Sequence, residues 1–307
     1  MARIASRLRN LRSAWLVAAL LVAATTNAVA EDGADPASIA RGAYVFIAAG
    51  CGYCHTDTKN GGAALAGGRA LDTPFGRFYT PNITADPDTG IGRWSDADFL
   101  RALREGIAPD GRYLYPAFPY TSYARAREQD LLDLKAYIFS LPPVSAANKP
   151  HELDFPFGWR SLLAVWRFLN FDPQPVVADA ARPPGWNRGA YLVEALGHCH
   201  ECHTPRGMLG GLEYDQALSG TTDGPEGAKV PNITPDPETG IGRWSARQLV
   251  HVLTDGALPN FDYVGSVMTE VVRNSTSRFT PEDRAAVAEY LMSLPPIRNA
   301  DARATQP

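Results

Sequence analysis

Along this chain, apolar positions recur mostly at helical rather than alternating spacing. In SIARGAYVFIAAG (Ser38 to Gly50) they fall three and four apart, and the closing glycine predicts a helix that stops just before Cys51. EQDLLDLKAYIFSLPP and PEDRAAVAEYLMSLPP each open with acids, carry an apolar stripe and end at a double proline, as a closing helix should. SDADFLRALREG and SARQLVHVLTDG start at serine, a good N-cap, and end at glycine. Few segments alternate at period two, so the pattern predicts an all-α protein with long loops. Loops of that length inside a compact domain need something to organise them.

The first thirty residues follow a different pattern. Arg3, Arg7, Arg9 and Arg12 precede the apolar run AWLVAALLVAA (Ala14 to Ala24), and Ala28-Val29-Ala30 precedes Glu31-Asp32. A basic stretch, an apolar core and an A-x-A site together read as a secretory signal over residues 1–30, cleaved near Ala30. The alternative, a retained membrane anchor, needs a span of about 18–20 apolar residues, longer than this run. No other window is long and apolar enough, so a membrane is expected to be reached only through partners.

The rest of the chain is written twice. PNITADPDTGIGRWS (Pro81 to Ser95) returns as PNITPDPETGIGRWS (Pro231 to Ser245), identical at 13 of 15 positions and displaced by 150. Each copy follows RGAY (from Arg41 and from Arg188) and a C-x-x-C-H, and each leads to SLPP (from Ser140 and from Ser293). The same parts in the same order imply a duplicated domain. The expected organisation is a first domain over residues 37–148, a strap over 149–182, a second domain over 183–297 and a polar tail over 298–307. The strap stretch Lys149 to Pro175 is aromatic and proline-bounded, too apolar for a free linker, and predicts a short helix packed on both domains.

Composition narrows the function. Without residues 1–30 the chain has 25 basic against 33 acidic residues, and its net charge moves from −4 to −8. Such a surface excludes nucleic acid as a partner, because phosphates must be neutralised by Lys and Arg. Four cysteines in an exported chain are expected to be consumed by something.

Cys51-Gly52-Tyr53-Cys54-His55 and Cys199-His200-Glu201-Cys202-His203 have the spacing of covalent haem attachment. Two thiols one turn apart add to two vinyl groups, and the next residue brings an imidazole, His55 or His203, under the iron. The cofactors expected are two haem c groups, and a buried porphyrin supplies the apolar centre that helices of this length lack. A zinc site would gather closely spaced pairs, whereas these lie 148 residues apart. A thioredoxin-like disulfide would need a βαβ setting.

The remaining axial position decides whether a haem carries electrons or does chemistry. Met268, in VGSVMTEVVRNS, is read as a loop residue and as the sixth ligand of the second haem, 65 residues after His203. Met1 leaves with the signal, Met208 is too near His203 in sequence, and Met292 reads as core. In the first copy the corresponding stretch, LYPAFPYTSY (Leu114 to Tyr123), holds four aromatic rings and no methionine. Tyr120, Tyr123, His151 or no ligand at all are the open alternatives there. His198 and His200 are expected to be exposed beside the second motif, and His251 on a helix surface. The sequons at Asn82, Asn232 and Asn274 invite a sugar, but the first two lie in the repeated PNIT loop, where a structural role is expected.

With PNIT-x-DP-x-TGIGRWS, HTPRG (His203 to Gly207), YPAFPYTSY and MTEVVRNS, the chain resembles the cytochrome c subunits of bacterial membrane-associated dehydrogenases acting on alcohols, gluconate or sorbitol. The resemblance covers nearly all of residues 37–297. It implies class I cytochrome c domains, a periplasmic location, a dehydrogenase catalytic subunit as donor, and a quinone, oxidase or further cytochrome as acceptor. It also implies Met268 as an axial ligand. Many relatives read YPAMPY where this chain has Phe118, and often carry a third haem and a C-terminal membrane-binding segment, whereas this chain ends in RNADARATQP. The function expected is electron transfer without turnover of a substrate. The competing expectation is a dihaem peroxidase-like or small-molecule-oxidising enzyme acting at an open first haem.

Overall fold

The computed structural model describes residues 35–307, and the expected signal segment, residues 1–30, lies outside them. Helix α1 (Pro36–Ala48) starts on Asp35, whose carboxylate accepts from the Ala37 N–H at 3.2 Å, and proline opens the helix where no N–H partner is required. The single turn α2 (Cys51–Cys54) follows, then α3 (Asp96–Glu105), the turn α4 (Tyr120–Tyr123) and α5 (Glu128–Ser140). A connecting helix, α6 (Leu162–Asn170), leads to α7 (Pro184–Tyr191), which continues as a π-turn through Leu192–Leu196. The turn α8 (His200–His203), α9 (Ala246–Asp255), α10 (Ser266–Asn274) and α11 (Pro281–Ser293) complete the helices.

Local chemistry sets the ends of these elements. Ser95 and Ser245 both form capping boxes, with Asp98 and Gln248 respectively, and the αL glycines Gly106 and Gly256 close α3 and α9. Leu141 and Leu294 leave α5 and α11 in extended geometry because the next residue is proline.

The repeated RGAY is a helix-crossing motif. A Cβ on Gly42 would lie 1.8 Å from the Asp133 carbonyl oxygen, and one on Gly189 would lie 2.0 Å from that of Ala286. Glycine therefore lets α1 cross α5, and α7 cross α11, at backbone contact. Arg41 grips Asp133 through Nε at 2.6 Å and Nη2 at 2.9 Å. Arg188 grips Asp283 in the same bidentate way, at 2.9 and 2.7 Å. The two tyrosines cross between copies: Tyr44 donates to Asp283 and Tyr191 to Asp130, each at 2.5 Å.

One hydrophobic cluster accordingly runs through both copies, from Val45, Leu131 and Ile138 to Leu192, Leu196, Leu249 and Leu291. The last residues, read as a polar tail, close over the second PNIT loop. Asn232 N–H donates to Ala302 at 2.7 Å, and Trp244 Nε1 donates to Thr305 at 2.9 Å.

The all-α expectation needs a correction. Strands β1 (Ala70–Thr73), β2 (Gly76–Tyr79) and β3 (Glu152–Leu153) form an antiparallel sheet in that order. Strands of four, four and two residues are too short to print a period-two pattern, and the third comes from the connecting segment. Beneath it lies a second small cluster of Phe78, Tyr115 and Leu163. Helix α6 touches both copies: Arg167 lies over Tyr113 and Tyr120, while Trp166 Nε1 donates to the Leu209 carbonyl at 2.8 Å. Among the described residues no helix is long and apolar enough to cross a membrane.

Candidate functional site

Each cysteine pair occupies one helical turn at the end of a longer helix. All four thiols are free and partly buried. Burial pushes their pKa up, to about 12 for Cys51, Cys199 and Cys202 and about 11 for Cys54. At neutral pH they are protonated thiols. Among the described residues, no three His, Cys, Asp or Glu side chains converge as a metal-ion cage.

The two motif histidines are held identically. His55 Nδ1 faces the Pro81 carbonyl at 2.8 Å, and His203 Nδ1 faces the Pro231 carbonyl at 2.8 Å. A carbonyl can only accept, so each Nδ1 carries the proton and each Nε2 keeps its lone pair. Such a bond fixes the ring and raises its strength as a ligand. Burial lowers the pKa of both rings, that of His203 to about 4, so both are neutral at pH 7. Two neutral thiols beside an imidazole with a free, oriented Nε2 are the groups that covalent haem asks of a protein, and each motif offers the full set.

This explains the PNIT repeat, whose role the sequence left general. Asn82 is buried, donating to Thr89 Oγ1 and the Val144 carbonyl and accepting from Thr84, and Asn232 repeats the pattern with Thr239, Ile297 and Thr234. Neither amide has room for a sugar. Asp86 and Asp236 then cap the turn by accepting from the backbone two and three residues on. The loop is built to hold one proline carbonyl over one histidine. The missed participants, Pro81 and Pro231, lie 26 and 28 residues beyond their histidines, and the repetition of PNIT in both copies was the available signal.

Met268 lies on α10, not in a loop, and is half-buried. Val267, Met268, Val271 and Val272 fall at helical spacing, which is why the stretch folds as a helix. Met208 is 95% exposed, and Met292 packs on the core. In the first copy, Phe118 is half-buried against Tyr123, with ring centroids 5.7 Å apart. His151 Nδ1 accepts from the Tyr79 N–H at 3.2 Å, so a neutral His151 carries its proton on Nε2 and has no lone pair there for iron. Tyr123 spends its hydroxyl on the Ala49 carbonyl at 2.8 Å. Tyr120 is fully buried, and its hydroxyl has no hydrogen-bond partner.

The expectation that His200 is exposed is corrected. It is 5% exposed and lies between Thr204 Oγ1 and Glu194, at 3.0 Å from each. Glu194, on the π-turn, also accepts from Tyr290 at 2.6 Å and pairs with Arg125 at 3.1 Å. Burial pushes the Glu194 carboxyl up, but His200, Tyr290 and Arg125 together hold it at about 2. His198 is partly buried and His251 is exposed. At His198 the backbone is left-handed (φ 40°), where the first motif has Gly50 (φ 64°). That strain, about 1–2 kcal/mol for an L-residue, is borne at a junction of the two motifs. His198 Nε2 donates to the Ala49 carbonyl at 3.3 Å and its ring meets the edge of Tyr123 at 5.7 Å.

Comparison with known proteins agrees with this donor chemistry. The cytochrome c family profile matches residues 39–142. The chain is 46% identical over 261 residues to a diheme cytochrome c-type protein of Cereibacter sphaeroides, covering 84% of this chain and 86% of that one. The chain therefore belongs to the c-type cytochromes, proteins that carry haem c covalently. Within that family it is similar to the cytochrome subunits of larger oxidoreductases. It is 38% identical to the fructose dehydrogenase cytochrome subunit of Gluconobacter japonicus, over 92% of this chain and 59% of that subunit. It is 40% identical to the gluconate 2-dehydrogenase cytochrome c subunit of Pantoea cypripedii, over 87% of this chain and 62% of that subunit. The chain thus spans under two thirds of those two relatives.

Proposed function

We propose that this chain is a dihaem electron-transfer protein of the periplasm, built from two class I cytochrome c domains over residues 37–148 and 183–297 and a strap over 149–182. It takes electrons from the catalytic subunit of a dehydrogenase and passes them toward the respiratory chain, to a quinone, an oxidase or another cytochrome. The observation that carries the reading is the twin arrangement of C-x-x-C-H and proline carbonyl, with both histidines oriented at 2.8 Å. The similarity to dehydrogenase cytochrome subunits supports the choice of donor.

Haem c, when bound, supplies a centre that accepts and releases single electrons. In this reading Cys51 and Cys54 hold the first group and Cys199 and Cys202 the second. His55 and His203, oriented by Pro81 and Pro231, would hold the two irons, and Met268 would close the second. At the first site the position would be closed by Tyr120, whose hydroxyl has no hydrogen-bond partner, or by Tyr123, whose hydroxyl donates to Ala49 but keeps its oxygen lone pairs, or would be left open behind Phe118. The contact of Ala49 with His198 and Tyr123 brings the two attachment motifs together, which suits exchange of electrons between them.

The test is production in a host that matures cytochromes c. The expected mass is that of the chain after residue 30 plus two haems, with two reversible one-electron steps and reduction by a dehydrogenase. Met268→Ala should abolish the sulfur-to-iron absorption band and lower the potential of one haem only. A single haem, or turnover of a small substrate without reduction by any dehydrogenase, overturns the reading.

A further inference from the structure

The third residue of each C-x-x-C-H motif is linked to the distal segment of the other copy, Glu201 of the second motif directly and Tyr53 of the first through Arg69. Glu201 is nearly buried, its side chain 10% exposed. Its Oε1 accepts from Thr121 Oγ1 at 2.7 Å and Ser122 Oγ at 3.0 Å, and Oε2 pairs with Arg206. Thr121 and Ser122 are the centre of α4, in the aromatic stretch that follows Phe118. In the mirror arrangement, Arg69, its side chain 10% exposed, donates Nη1 to the Tyr53 carbonyl at 2.9 Å and to Glu270 at 2.7 Å. Glu270 lies on α10, two residues after Met268.

We propose that these contacts are cross-clamps: Glu201 positions the segment over the first haem from the second haem's attachment motif, and Arg69, anchored on the Tyr53 carbonyl of the first motif, positions the Met268 helix. The inference rests on the dihaem reading above. Helix α4 is a single turn between prolines and loops, and one turn does not hold itself. Helix α10 has nine residues and no side-chain cap at its start. Both therefore take their placement from outside, and in both cases a charged anchor comes from the other copy: Glu201 from within its haem motif, and Arg69, itself bonded to the Tyr53 carbonyl of the first motif. A change of ligation or charge at one haem then reaches the sixth side of the other, and the coupling works in both directions.

The experiment uses the full haem-loaded chain, with low-temperature EPR and imidazole titration reading the first haem and the sulfur-to-iron band reading the second. Glu201→Ala should change the first-haem EPR signals and tighten imidazole binding there about 5-fold or more, leaving the band intact. Glu201→Gln keeps an acceptor for Thr121 and should return the first haem toward wild type. The neutral pair Thr121→Val/Ser122→Ala should reproduce the effect, and adding Glu201→Ala to it should add nothing further. Arg69→Met should weaken the band without touching Met268 itself. First-haem signals unmoved in Glu201→Ala, or in the Thr121/Ser122 pair if Glu201→Ala yields no loaded protein, overturn the clamp. So does Glu201→Gln behaving like Glu201→Ala. A mass with fewer than two haems overturns the dihaem reading and the clamp with it, whereas two haems with an unmoved first haem overturn the clamp alone.

Discussion

Replacing Gly42 with alanine tests whether the two-copy fold depends on its helix crossings. The added Cβ would lie 1.8 Å from the Asp133 carbonyl oxygen, 2.5 Å from the Asp133 carbonyl carbon and 2.9 Å from Tyr137 Cβ. Because the obstacle is backbone, α1 must withdraw by about 1.5 Å to reach ordinary van der Waals separation. Val45 and Ala48, both buried on that face, then lose contact with the α5 side of the core. Overpacking of this kind costs about 1–3 kcal/mol, and the upper end applies where nothing flexible can give way. Alanine returns about 1 kcal/mol through its helix propensity over glycine. The net loss is about 2 kcal/mol, or about 4–8 °C of melting temperature at 2–4 °C per kcal/mol. The assay is thermal unfolding of the haem-loaded protein by calorimetry and near-UV circular dichroism. Gly189→Ala, facing the Ala286 carbonyl at 2.0 Å, should fall by a similar amount. Gly158→Ala, with no heavy atom within 4 Å of the new methyl, should stay near wild type. A Gly42→Ala protein that melts at or above the wild-type temperature refutes the reasoning.

Tyr44→Phe and Tyr191→Phe each remove a bond from one copy to a carboxylate of the other, and each should cost about 1.5–3 kcal/mol. The double variant should lose close to the sum, read by urea unfolding. Acid should act through the carboxylates of the arginine pairs and the His200 network. Arg41 holds the Asp133 carboxyl below its usual range; Arg188 and Tyr44 do the same for Asp283 against the upward push of burial; and Glu194 sits at about 2. Their folded pKa values lie below the unfolded ones, so the stability they contribute is complete above about pH 5 and lost as pH falls from there toward 2. The buried, neutral His55 and His203 have folded pKa values below the unfolded value of 6.5, so the stability they contribute is lost as pH falls below it. Melting temperature should therefore decline gently from there and more steeply below about 5, where the carboxylates join, with a shallower drop below 5 in Asp283→Asn. An equal slope in that variant would remove Asp283 from the account.

What can be read from the chain is what physics keeps local. Ser95 and Gly106 bound α3 because a cap acts within one turn. The C-x-x-C-H spacing is legible because both thiols and the imidazole come from five consecutive residues. Met268 reads as a loop residue yet lies on a helix, because nine residues are few and the stretch opens at Gly265, with no side-chain cap to mark a start. The short strands are hidden for the same reason. The burial of His200 is not legible at all, because it comes from Glu194 and Thr204 closing around the ring.

The sequence by itself determined the repeated PNIT motif, the two haem-type motifs and several helix ends, since each is carried by a short run of consecutive residues. Only the tertiary structure decided which nitrogen of His55 and His203 is free, because the carbonyls that decide it, Pro81 and Pro231, arrive from loops held by Asn82 and Asn232. Tertiary structure also decided that Tyr44, Tyr191, Glu201 and Arg69 each bind across the duplication. Two copies of one pattern carry no record of how their faces meet; that depends on complementary shape and charge between surfaces that are distant in sequence.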